Sequence, residues 1–174
     1  MRWPGKIPAG TVCNEPIMTI DLFPTIAAWV GARLPQHTID GLDVGPLIVG
    51  APKAQNPHQA YFSYYENNQL QAVWDGRWKL QLPHTYRTLG GRPGGRDGQP
   101  AQYEQRKIEK AELYDLNGDI GEAVDVASQH ADIVQHLQAL AETAREELGD
   151  SLTNRIGKGV RPPPQVPLSD TGTR

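Results

Sequence analysis

Apolar residues recur along this chain with two different periods, and the change between them organises it. From Asp21, the residues Leu22, Phe23, Ile26, Ala27 and Val30 repeat at helical spacing. Pro24 falls in the first turn, where its missing N–H is no loss, and Gly31 follows the last apolar position. This predicts a helix over 21–30 with Asp21 as its N-cap. Upstream, Pro4, Gly5, Pro8 and Gly10 permit only an irregular or extended path. Downstream, the turn Asp40-Gly41-Leu42-Asp43-Val44 leads into a brief apolar turn at 46–49, closed by Gly50 and Pro52.

The period then drops to two. Residues 60–65, 69–74 and 77–82 are aromatic, β-branched or alternating, and Asp75-Gly76 between the last two is a strong hairpin signal. Alternation in the third run puts Trp78, Leu80 and Leu82 on one face and Arg77, Lys79 and Gln81 on the other, as in a half-buried antiparallel strand. Residues 112–116 supply a fourth strand. The cover is a helix over 130–148, where Ile133, Val134, Leu137, Leu140, Ala141, Ala144 and Leu148 form one stripe before Gly149. The expected fold is α+β: a small antiparallel sheet of about four strands with one packed C-terminal helix. Residues 83–111 read as a long loop, and the Pro-rich residues 151–174 as an irregular tail, docked or frayed.

Composition limits the size of the core. Eighteen glycines and 15 prolines in 174 residues exceed the ~12% of average usage, so much of the length is loop. A net charge of -3 disfavours nucleic acid as a partner, because its backbone is normally met by a strongly basic stripe. No segment has the ~18–20 apolar residues of a membrane span, and the N-terminus has no apolar signal-peptide core, so no membrane partner is expected.

Candidate chemistry is sparse. Cys13 lies in Val-Cys-Asn-Glu-Pro with no local catalytic signature and reads as a buried or incidental thiol. The five histidines show no metal-ligand spacing; His130 and His136 are turned roughly 240° apart on a helix. Residues 115–121 mimic the start of a calcium loop, but Ile120 and Val126 occupy the places of its glycine and bidentate glutamate, which favours a polar capping turn. The glycine-rich stretch 90–96 lacks the phosphate-cradling lysine. His84, Tyr86, Arg87, Arg92 and Arg96 nevertheless bring donors and cations suited to sulfate, phosphate or carboxylate, the alternative being a solvated basic loop.

Several strings carry a family resemblance. Residues 2–11 (Arg-Trp-Pro-Gly-Lys-Ile-Pro-Ala-Gly-Thr), 19–26 (Thr-Ile-Asp-Leu-Phe-Pro-Thr-Ile), 39–43, 71–80 and 112–116 together closely resemble, in order, the latter part of the type I sulfatases of the arylsulfatase and galactosamine-6-sulfatase kind. Ile120, where the family has Pro, and Asp125, where it has Asn, are minor departures. The resemblance implies an alkaline-phosphatase-like α/β parent whose last core helix is 21–30. Residues 1–52 would be the end of that core, 53–150 the C-terminal subdomain and 151–174 the tail. It further implies hydrolysis of sulfated carbohydrates or aryl sulfates, a formylglycine made from Cys-x-Pro-x-Arg, a calcium ion, and a secreted, periplasmic or lysosomal parent.

Cys13 is not that cysteine, since Glu15 and Ile17 stand where Pro and Arg are required. The chain is therefore expected to hold no cofactor, to be a C-terminal fragment or a reading frame begun at an internal Met, and to be inactive alone. The competing function is a non-catalytic carbohydrate-binding or interaction module; a phosphoesterase of the same superfamily fits the opening string less well. In such parents the C-terminal subdomain walls the substrate pocket. His84, Tyr86 and Arg87 are the expected substrate-binding residues, because they follow directly on the third strand, whereas Arg92 and Arg96 sit among mobile glycines. The alternative is that His84 caps the strand end and Arg87 is solvated.

Overall fold

The structure, a computed structural model, describes residues 1–161, and the expected tail beyond 161 lies outside the described residues. Residues 1–18 run irregularly, with Trp3 set edge-on against Trp29 at 4.9 Å. Helix α1 (Leu22–Val30) follows a short turn at 19–21 and ends on the left-handed Gly31. Its buried side is not the expected stripe. Pro24, Thr25 and Ala27 are covered, while Phe23, Ile26 and Val30 are 56%, 49% and 71% exposed.

Asp21 does not cap this helix. Its own backbone is helical, and its fully buried carboxylate instead accepts the Met18 N–H (2.7 Å), the Leu42 N–H (2.9 Å) and His58 Nε2 (2.9 and 3.0 Å). A carboxylate only accepts, so His58 Nε2 carries the proton of that bond. Thr25 Oγ1 accepts the Val44 N–H at 2.9 Å, which pins the following segment along α1. Gly41 is required there, because a Cβ at that position would collide with the Ile20 carbonyl. The expected apolar turn is the single-turn helix α2 (Gly45–Ile48).

Strands β1 (Tyr61–Tyr65), β2 (Gln69–Trp74), β3 (Trp78–Gln81) and β6 (Glu112–Asp115) form one antiparallel sheet in the order β1-β2-β3-β6. The Asp75-Gly76 turn joins β2 to β3, with the Asp75 carboxylate accepting the Arg77 and Trp78 N–H groups. Helix α3 (Ala131–Leu148) covers one face, burying Leu137, Ala141 and Ala144 against Leu70, Val73, Trp78, Leu80, Leu82 and Leu113. Leu70 and Val73 are three apart, so simple alternation would send them to opposite faces. Pairing of Ser63 with Ala72 and of Tyr64 with Leu70 leaves Gln71 as an extra residue, and this bulge returns Val73 to the core.

Between β3 and β6 the expected loop is mostly not a loop. Strands β4 (His84–Thr88) and β5 (Glu104–Ile108) pair as a separate antiparallel ribbon, leaving irregular only 89–103 and the short flanks. The ribbon escapes a hydrophobic pattern because β5 is exposed except at Ile108, so its sequence has no apolar alternation. Arg92 is not free either: it donates to the Leu89 carbonyl (2.9 Å) and to Glu104 (3.2 Å).

The end of α3 is tied back to the sheet. Gly149, at φ 82°, permits an approach in which a Cβ would lie 2.8 Å from the Gly157 nitrogen. Buried Asp150 accepts from the Leu70 N–H (3.2 Å), the Leu152 N–H (3.0 Å) and Arg145 Nε (2.8 Å). Tyr64 donates to the Gly149 carbonyl at 3.0 Å, and burial followed by the Asp150 charge pushes its phenol up to about 12.

Two outcomes follow. The uncovered row on α1 should bind a hydrophobic dye and drive self-association; Phe23→Ser with Ile26→Ser should reduce both, and a monodisperse, dye-silent chain would contradict it. The raised Tyr64 pKa favours the neutral phenol in the folded state. Its contribution is full below the ordinary value of ~10 and is lost as pH rises toward about 12. Urea midpoints should therefore fall over that range, less steeply in Tyr64→Phe, with the late phase of tyrosinate absorbance reduced.

Candidate functional site

A cleft of about 470 Å³ opens between the ribbon and the sheet face opposite α3. Its position follows from strand alternation. While Trp78, Leu80 and Leu82 point to the helix, Lys79 and Gln81 point the other way and form one wall. The bulge at Gln71 adds both Gln71 and Ala72 to the same side.

Glu122, at a left-handed φ of 53°, reaches over this wall. It accepts Lys79 Nζ at 2.5 Å and Gln81 Nε2 at 2.8 Å. The turn that carries it is knit by Asp119, which accepts the Ala123 and Val124 N–H groups, and by Asp115, which takes Arg77 at 3.1 and 2.7 Å. The Arg77 hydrogen bond holds the Asp115 carboxyl below the usual carboxylate range. These contacts fit the capping-turn reading of residues 115–121. Asp125 caps the next segment by accepting the Leu113 and Ala127 N–H groups.

Strand β6 contributes Glu112 and Tyr114, whose hydroxyl donates to Glu112 at 2.6 Å; burial and then that bond push the phenol well above its ordinary value. From the ribbon come His84, Tyr86 and Arg106. His84 is buried, with Nδ1 2.6 Å from the Leu82 carbonyl, so Nδ1 carries a hydrogen and Nε2 of the neutral ring is an acceptor. This bond also ties His84 to the strand end, as the alternative to substrate contact anticipated. The Tyr86 ring lies 5.6 Å from that of His84, and Arg106 stands opposite Tyr86 in the register. Among the described residues Arg106 has no acid within 4.0 Å.

The three expected site residues are therefore not brought together. His84 and Tyr86 line the cleft, whereas Arg87, one step along β4, projects from the other side of the ribbon into an adjoining groove that Tyr86 also lines. Lys79, Gln81, Tyr114, Arg106 and Glu122 were not among the expected site residues. For Lys79 and Gln81 the signal was present as the polar half of an alternating strand; for Arg106 and Glu122 nothing local marks them. Cys13 is exposed, not buried, and His130 packs its ring on Trp78 at 4.7 Å. Among the described residues no three His, Cys, Asp or Glu side chains converge as a metal site. No described helix is long and apolar enough to cross a membrane.

Chemically, the cleft offers hydroxyl, amide, imidazole, carboxylate and cationic groups around a space within the ~300–1,000 Å³ of small-molecule sites. Such a lining suits a ligand rich in hydroxyl groups. Residues 56–168 match the C-terminal region of aryl-sulfatase, and residues 1–81 match the C-terminal region of N-sulphoglucosamine sulphohydrolase. Human arylsulfatase A is 32% identical over 178 residues, covering 94% of this chain and 34% of its own length. The chain spans about a third or less of the length of the curated relatives it matches.

Among solved structures, a protein from glycosaminoglycan metabolism in Bacteroides thetaiotaomicron is 25% identical, with a TM-score of 0.54 over 72% of this chain and 24% of its own. Another, solved with its substrate D-glucosamine-2-N,6-O-disulfate, has a TM-score of 0.56 at 20% identity over 83% of this chain and 27% of its own, a likeness of fold.

Proposed function

The chain belongs to the sulfatases, as their C-terminal region, and we propose that the protein it serves hydrolyses sulfate esters of carbohydrates, with the cleft between sheet and ribbon holding the sugar. One observation carries this: the aryl-sulfatase match at 56–168 spans the strands that build the cleft, and most of the residues lining it are polar, with Ala72 and Ile108 the apolar exceptions. An aryl sulfate would call for an apolar wall. A sugar calls for alternating donors and acceptors, which Gln81, Glu122, His84 and Tyr86 supply. A protein of the same fold takes a disulfated glucosamine.

The work of this chain's residues is binding and orientation. Glu122, fixed by Lys79 and Gln81, offers carboxylate oxygens to sugar hydroxyls; His84 Nε2 accepts from one, and Tyr86 donates or accepts at the opposite wall. Cleavage of sulfur–oxygen bonds needs an activated nucleophile, and these 174 residues contain no Cys-x-Pro-x-Arg. Formylglycine and calcium belong, in this proposal, to residues outside the chain, and no step is routed through them. The competing role as a non-catalytic carbohydrate-binding module uses the same cleft and differs only in whether hydrolysis follows.

The purified chain should show no turnover of an aryl sulfate with or without calcium. Turnover above buffer that survives Cys13→Ala would overturn this. In a full-length enzyme carrying these residues, His84→Ala should lower kcat/KM on a sulfated sugar roughly tenfold, equivalent to ~1.4 kcal/mol, and affect a small aryl sulfate less. Unchanged kinetics on both substrates would remove His84 from the pocket wall.

A further inference from the structure

On the outer side of the ribbon, Arg87 reaches into a groove of about 270 Å³ between β4–β5 and the end of β1. Three tyrosines line it, and two of them are about half exposed, Tyr65 at 53% and Tyr103 at 55%. The Arg87 guanidinium lies 5.2 Å from the centre of the Tyr103 ring, which orients its planar fork. Glu66 also lines the groove but is not within 4.0 Å of Arg87, and among the described residues no acid is. Thr85, Gln71 and Gln105 complete the rim with hydroxyl and amide groups.

Exposed tyrosine faces beside an unneutralised guanidinium fit one ligand chemistry well. The C–H face of a pyranose ring packs on an aromatic face, whose π cloud is negative, and the fork of the arginine takes a sulfate or carboxylate on the same ring. The groove also adjoins the cleft, for Gln71 and Tyr86 line both. We propose that cleft and groove hold neighbouring units of one anionic oligosaccharide, with Tyr65 and Tyr103 stacking the outer unit and Arg87 gripping its acid group. This rests on the carbohydrate reading above and extends it from a single sulfated sugar to a chain.

The test is binding, followed by NMR on the 174-residue chain at constant ionic strength. The probes are a tetrasaccharide of N- and 6-O-sulfated glucosamine alternating with uronic acid, its desulfated form, and inorganic sulfate. The tetrasaccharide should shift the Tyr65 and Tyr103 ring signals and the Arg87 Nε–H saturably, together with signals of His84 and Tyr86. Arg87→Gln and Tyr103→Ala should each weaken binding at least tenfold while the His84 and Tyr86 shifts persist at higher ligand.

Equal binding of the desulfated form would support the proposal with carboxylate as the anion held. Equal binding of inorganic sulfate, shifts confined to His84 and Tyr86, or no saturable shift would each overturn it. Because nothing in this measurement depends on turnover, absence of hydrolysis by a full-length enzyme would strike the sulfatase activity and not the groove.

Discussion

Everything in the strand-rich half of the molecule depends on α3 burying one face of a four-stranded sheet. Leu70, Leu80, Leu113 and Leu137 are completely buried where helix and sheet meet. Because neighbouring side chains on a strand point to opposite faces, each leucine directed at the helix directs a neighbour away from it. Lys79 and Gln81 thus face the cleft as a consequence of Leu80 facing the core. A one-residue slip of β3 would bury the lysine and expose the leucine, so the core enforces the register that builds the cleft wall. The bulge at Gln71 is the single departure, and it lets β2 contribute Leu70 and Val73 to the core while Gln71 and Ala72 stay with the cleft.

A second constraint joins the N-terminal segments to this sheet. Asp21 is fully buried beneath α1 and His58 precedes β1, so their contact ties two stretches with little apolar surface in common. Removing His58 would take one hydrogen bond from a buried carboxylate that keeps the Met18 and Leu42 N–H groups, at a cost of ~1.5–3 kcal/mol. The value of the contact is in position: the same carboxylate also fixes the Leu42 and Met18 backbone, so one side chain sets how three segments meet.

Elements with one buried face were legible in the sequence, and those without were not. The strands near 60–65, 69–74, 77–82 and 112–116 and the helix over 130–148 each lie against the core, so burial imprinted a period on them. Helix 21–30 was legible from its apolar repeat, yet its buried side was not, because Asp21 and Thr25 are buried for their hydrogen bonds and the apolar row Phe23, Ile26, Val30 faces outward. The ribbon was missed for the complementary reason. Its strands pair through backbone alone, and only His84 and Ile108 of the pair are buried.

The family resemblance rested on short strings that fall on the irregular N-terminal segment, the start of α1, the turn before α2, the β2–β3 hairpin and β6, and it carried the identity of the chain without the geometry of its cleft. Arg87 shows the limit most clearly: adjacency in sequence suggested one pocket for His84, Tyr86 and Arg87, but neighbours on a strand point to opposite faces, so Arg87 shares the groove with Tyr86 and does not reach the cleft that holds His84.

That same opposition gives the ribbon its use. A loop carrying His84, Tyr86 and Arg87 would let all three sample one site, at the cost of ordering them each time a ligand arrives. Held on a strand, His84 is committed to the cleft and Arg87 to the groove before any ligand binds, with Tyr86 between them, the Leu82 carbonyl fixing His84 and Tyr103 supporting Arg87. Two preorganised spaces sharing Tyr86 and Gln71 at their junction would, in the proposal above, read a ligand longer than either. In the oligosaccharide proposal, length and an acid group on the outer unit are then read together, the first by the two adjoining spaces and the second by Arg87.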